Sequence, residues 1–164
     1  MEKAAPVGLW MVCAAQVAYI LASFTSGDIG LGTVADAASA GCAAVCASAL
    51  SRSDRNAFAW GLVVFAIVQL IDLVVTFFTR GVGSFFLAFI VVVIGLAVAA
   101  TSALAWRKQP ADAPRPQGVR MGAAILSLGN FGYLVAGFLS GATLGLFPLG
   151  GLASGIGWAL VALL

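Results

Sequence analysis

The sequence predicts an all-α membrane protein: a single domain over residues 1–164, built of six transmembrane helices with both ends on the cytoplasmic side. Three observations predict it. Hydrophobic residues make up 62% of the chain and charged residues only 9%, against roughly 25% charged in soluble domains. So much apolar surface needs lipid to cover it. The apolar residues fall into six runs, each near the ~20 residues with which a helix crosses the hydrocarbon core. The basic residues gather in alternate connectors. The net charge of +2 is too small to indicate a nucleic-acid partner.

The first run, Val7–Thr25, follows Lys3 as the core of a signal peptide would. It is longer than the usual ~7–15 residues of such a core, so a retained span is expected. The second, Gly32–Leu50, is dominated by small residues: Ala37, Ala40, Gly41, Ala44, Ala47 and Ser48. Small residues let helices approach closely, within a bundle or between subunits. The third and fourth runs are Ala57–Thr79 and Ser84–Trp106. The fifth, Val119–Leu139, follows the longest connector, Arg107–Gly118, where Pro110, Pro114 and Pro116 mark a polar loop. The sixth, Leu146–Leu164, carries Gly151 and Gly155 at the spacing of close helix packing.

Lys3, Arg52, Arg55, Arg107, Lys108, Arg115 and Arg120 all fall on one side of these spans, and Arg80 alone falls on the other. Cytoplasmic loops are enriched in Lys and Arg, so the basic side is expected in the cytoplasm of a cell (inner) membrane. Trp10, Trp60 and Trp106 lie near that side, as interfacial anchors do, while Trp158 lies deeper.

A weak internal repeat runs through the chain. Residues 16–50 lie on residues 130–164 without a gap, with seven of 35 positions identical. The central hairpin joins with one inserted residue, Gln69 falling on Gln16 and Phe77 on Phe24. The repeat places Gln16, Gln69 and Asn130 at one depth, near mid-membrane, in spans one, three and five. Tyr19, Asp72 and Tyr133 lie one turn further out. The amides have two readings: hydrogen-bond glue between helices, or the lining of a polar path for a small solute. Asp72 has two as well. A carboxylate inside the membrane costs at least ~2.5 kcal/mol on insertion scales, so it is paired or wet. An ion pair with Arg80 and a protonatable group in proton-coupled transport both satisfy this. Asp36, near the outer end of span two, is another partner for Arg80.

The chain has no histidine, so the commonest general base and metal ligand is missing. Cys13, Cys42 and Cys46 lie in apolar runs with no further ligands nearby and read as small apolar side chains. No Ser–Lys, Ser–His or paired-carboxylate arrangement is present, nor any motif for a bound cofactor. An enzyme is not expected, and no cofactor or metal.

Ala5-Pro6-Val7-Gly8-Leu9 resembles the signature of the acetate uptake transporter family, Asn-Pro-Ala-Pro-Leu-Gly-Leu ahead of span one; Lys3-Ala4 stands where that family has Asn-Pro. At the start of span three, Arg55-Asn56-Ala57-Phe58-Ala59 is similar to its Gly-Asn-Thr-Phe-Gly. Pro6, Gly8, Asn56 and Phe58 are the matching residues, and Gly150 and Gly157 resemble its glycine spacing in span six. Its Ser-Tyr-Gly-x-Phe-Trp stretch is replaced here by Phe65-Ala66-Ile67-Val68-Gln69-Leu70. The resemblance implies a six-helix protomer in a homo-oligomer, with a central path for acetate or a related monocarboxylate.

The expectation is therefore a small-solute channel or secondary transporter. The alternative is a non-catalytic accessory, assembly or stress-related membrane protein. The first requires the polar residues to converge on a cavity; the second expects them scattered around a dry core.

Overall fold

The computed structural model describes residues 4–27, 29–80, 83–110, 112–139 and 145–163. These form six helices: α1 (Ala4–Ser26), α2 (Leu31–Ser51), α3 (Arg55–Arg80), α4 (Ser84–Trp106), α5 (Gln117–Leu139) and α6 (Leu146–Ala162). There is no strand among the described residues. Five of the helices are long and apolar enough to cross a membrane; α6, with 17 residues, is the short one.

Local chemistry sets the ends. Pro6 and Pro148 sit in first turns, where the missing N–H breaks no helical bond. Gly27, at φ +73°, stops α1 in the left-handed conformation that glycine adopts without strain. Asp54 caps α3, its carboxylate accepting the Ala57 N–H at 2.9 Å. The proline-rich connector ends α4 and leads into α5.

Each helix packs on its neighbours in sequence, and α6 closes the circle against α1. Among the described residues, no two helices facing each other across the circle bring their backbones together. The result is an up-and-down ring of six helices around one axis. Glycines set its tightest seams. A Cβ added to Gly8 would lie 2.3 Å from the Gly157 carbonyl oxygen, between α1 and α6. One added to Gly122 would lie 2.6 Å from the Ala99 nitrogen, between α5 and α4. Gly155 of α6 packs on the Phe131 ring of α5, and its carbonyl accepts the Ser127 hydroxyl at 2.8 Å. The small face of span six thus lies inside the bundle. That of span two divides: Ala40 and Ala47 are buried, whereas Ala37 and Gly41 face outward.

The outer surface is apolar all round. Phe78 is 79% exposed and Leu128 68%, with Trp10, Leu21, Phe24, Ile71 and Leu87 also projecting outward. A patch of this extent marks contact with a membrane. Arg52, Arg55, Arg107, Lys108, Arg115 and Arg120 sit together at one end of the ring, here called the basic end. There Arg55 donates to the Pro110 and Ala113 carbonyls at 2.7 and 3.0 Å and lies 4.4 Å from the Trp106 ring. Trp10 and Trp60 project outward as interfacial anchors do. Trp106 departs from that expectation: it is buried between Arg55 and Phe58, because its ring completes the packing of α3 on α4.

The ring interior has two halves. Toward the basic end it is filled by fully buried apolar side chains, among them Leu9, Val12, Phe58, Leu62, Ala99 and Val161. Toward the far end it opens.

Candidate functional site

The far half of the ring encloses a cavity of about 700 Å³ to which all six helices contribute. Its rim is formed by the helix ends, with Ser26, Gly30 and Thr33 on one side and Thr76 and Phe147 on others. Below the rim come Tyr19, Asp36, Asp72, Phe89 and Tyr133. Deeper are Gln16, Gln69, Asn130 and Ser154, eight to eleven residues from the far ends of their helices. At 1.5 Å per residue that is about 15 Å down, near the middle of a hydrocarbon core ~30 Å thick. The floor is Phe65, Leu96, Leu126 and Trp158. Phe65 and Trp158 meet across the ring with ring centroids 6.0 Å apart, which closes the cavity off from the dry half.

All six residues expected on a solute path, Gln16, Tyr19, Gln69, Asp72, Asn130 and Tyr133, line this one cavity. The physical reason is the cost of polar groups in lipid: the ring interior is where a membrane helix can put them. The three amides do different things locally. Gln69 Nε2 donates to Ser39 Oγ of α2 at 2.8 Å, a bond between helices. Asn130 Nδ2 donates to the Leu126 carbonyl of its own helix at 2.8 Å, leaving Oδ1 as acceptor. Gln16 Oε1 is buried with no hydrogen-bond partner, and so is Ser154 Oγ. Buried polar atoms are nearly always paired, by protein or by water or ligand; two orphans on the wall of one cavity are therefore informative. The glue reading describes Gln69 and neither of the other amides.

Asp36 and Asp72 are near enough to interact electrostatically, and the Tyr19 and Tyr133 phenols fall within the same group. Gly32 leaves room beside Asp72: a Cβ there would be 4.0 Å from Asp72 Oδ1. The Arg80 side chain, the partner in the ion-pair reading of Asp72, lies outside the described residues. The aromatic walls are assembled in pairs, Tyr19 on Phe147 at 5.1 Å and Phe89 on Tyr133 at 6.1 Å. Tyr19 reaches its place because Gly150 has no side chain: a Cβ there would lie 2.5 Å from the ring.

Sequence reasoning left Asp36 and Ser154 off the path. Asp36 carried a legible signal, a charge within a span, but was read as an ion-pair partner. Ser154 carried none, since a lone serine in an apolar helix usually bonds its own backbone. The floor aromatics gave no signal either.

Pro6, Gly8, Asn56 and Phe58 do not line the cavity; they lie at the basic end. Gly8 allows the α1–α6 seam. Phe58, 1% exposed, meets Trp106 edge-on at 6.4 Å. Asn56 Oδ1 accepts from Arg107 Nη1 at 2.9 Å. These contacts are packing and capping. The three cysteines are free, and Cys46 Sγ is 3.7 Å from the Phe58 carbonyl it donates to. No group of three or more candidate metal ligands occurs among the described residues.

Comparison with known proteins adds nothing to this geometry: no family model, no curated protein and no solved structure matches the chain.

Proposed function

We propose that this protein is a secondary transporter for a small polar solute, crossing the membrane six times with the basic end in the cytoplasm. One observation carries the reading: polar residues from separate helices converge on one large cavity in the far half of the ring. Ligand sites are typically concave spaces of ~300–1,000 Å³ with a few polar groups placed among apolar walls. The dry half beneath the Phe65–Trp158 floor favours a carrier that opens alternately over a channel that is always open. Acetate or a related monocarboxylate, which the N-terminal resemblance implies, is among the solutes to assay, and the same resemblance supports a homo-oligomer.

Two further parts of the reading rest on general rules. The excess of Lys and Arg at one end orients the protein with its termini inside. The 17 residues of α6 rise about 25 Å, the lower limit for a span, and α6 lies antiparallel between α5 and α1 from the Tyr19–Phe147 contact to the Arg120–Ala162 bond. The three-hairpin repeat fits the common depth of Gln16, Gln69 and Asn130.

The dry basic half is also what an accessory or stress-related membrane protein would have. Flux separates the two readings. Purified protein in proteoliposomes should carry a small solute above the leak of empty vesicles, and Gln69→Leu should lower that flux while the protein stays folded. Flux no greater than empty vesicles, across anionic, neutral and cationic solutes, rejects transport and leaves the accessory reading.

A further inference from the structure

We infer that the solute of this cavity is a small organic cation, an ammonium compound held between Asp36, Asp72 and the aromatic walls. The inference deepens the transport reading and rests on it for the cavity being a solute site.

Charge is the first argument. Asp36 and Asp72 are the only charged side chains among the described residues lining the cavity. Arg52, Arg55, Arg107, Lys108, Arg115 and Arg120 all lie at the opposite end, on the connectors and helix ends there. A cleft lined by one sign of charge between low-dielectric walls concentrates ions of the opposite sign. A carboxylate solute would have to enter against that field.

Hydrogen bonding is the second, and it is independent of the carboxylates. Gln16 is 7% exposed and Ser154 1%, and Gln16 Oε1 and Ser154 Oγ both lack a partner. Asn130 has an amide hydrogen committed to the Leu126 carbonyl. The deep layer of the cavity therefore holds unpaired polar atoms for a solute to meet: Gln16 Oε1 accepts from an ammonium N–H or a polarised N–CH, and the Ser154 hydroxyl can accept as well as donate.

The walls and the volume make the third argument. Tyr19, Phe147, Phe89 and Tyr133 stand around the carboxylates in two ring pairs, and an organic cation over such faces gains ~2 kcal/mol or more when desolvated. A bare divalent ion is the wrong occupant. Calcium takes ~6–8 oxygen ligands at short range, and here two carboxylates share about 700 Å³.

The test is equilibrium dialysis of radiolabelled tetraethylammonium against the purified full-length protein in detergent, with tetramethylammonium, acetate and glycerol as competitors. Binding should be saturable, displaced by tetramethylammonium and unmoved by acetate or glycerol. Asp36→Asn should weaken it tenfold or more, Asp36→Glu should restore part of the loss, and Arg80→Gln should not weaken it. Phe147→Leu at the rim, a change the fold tolerates more readily, should weaken it severalfold. Absence of saturable binding by the unaltered protein overturns the inference, as does unchanged binding in folded Asp36→Asn or displacement by acetate. Flux of acetate or glycerol in proteoliposomes without tetraethylammonium binding rejects the cation and leaves the transporter standing. Tetraethylammonium binding with no flux of any solute does the reverse.

Discussion

At the scale of single residues, the structure separates polar groups that hold the ring together from those that face the cavity. Gln69 does both. Its bond to Ser39, whose residue is 0% exposed, joins α3 to α2, so Gln69→Leu should cost stability as well as solute. Interhelical bonds of this kind average ~0.6 kcal/mol and reach ~1.7 kcal/mol in membranes; a loss in that range, read from unfolding in mixed micelles, is expected. Gln16→Leu removes an acceptor that bonds nothing, so it should leave stability unchanged or higher while lowering solute affinity. Asp72 gives a pH test. The titratable groups lining the cavity are Tyr19 from α1, Asp36 from α2, Asp72 from α3 and Tyr133 from α5, with none among the described lining residues of α4 and α6. Cation uptake needs the carboxylates ionised, so it should fall as pH falls and they protonate. Asp72→Asn should flatten that dependence in a flux assay. An unaltered pH profile in a folded Asp72→Asn protein assigns Asp72 to structure alone.

At the scale of the helices, close seams and open faces make opposite predictions for the same substitution. A Cβ on Gly8 or Gly122 would meet backbone atoms of the facing helix at 2.3 and 2.6 Å, and backbone cannot step aside as a flexible side chain can. Gly8→Ala and Gly122→Ala should each destabilise the bundle by the ~1–3 kcal/mol typical of overpacking. Gly41→Ala has nothing within 4 Å of the new atom and should fall within about 0.5 kcal/mol of the parent. Loss of an oligomer on Gly41→Leu, with the protomer still folded, would mark the outward face of α2 as the subunit contact. The helices themselves were legible in the sequence, to within a few residues at each end, because length and apolar runs suffice to find a span. Their partners were not. Lipid and ring interior are both apolar, so hydrophobic periodicity says little about which face turns inward. Polar residues are the exception, since lipid rejects them; this is why Gln16, Tyr19, Gln69, Asp72, Asn130 and Tyr133 could be assembled from sequence. The Phe65–Trp158 floor, made of side chains equally at home in lipid, could not.

At the scale of the whole molecule, the ring is filled by apolar side chains in one half and holds a cavity in the other, and the proposed orientation turns that cavity out of the cell. Orientation has its own test. Single cysteines beside Arg52 and Arg115 should react with impermeant thiol reagents only from the cytoplasmic side, and cysteines beside Asp28 and Thr143 only from the outside; reaction of both sets from one side contradicts six crossings. The measurement that bears most directly on the central claim uses Ser154, deep in the cavity and 1% exposed. With Cys13, Cys42 and Cys46 replaced by alanine, Ser154→Cys should be modified by a small impermeant methanethiosulfonate added outside oriented vesicles. It should resist the same reagent added inside, and a bound solute should slow its modification. No reaction from either side, in a protein shown to be folded, would contradict a water-filled cavity open to the exterior.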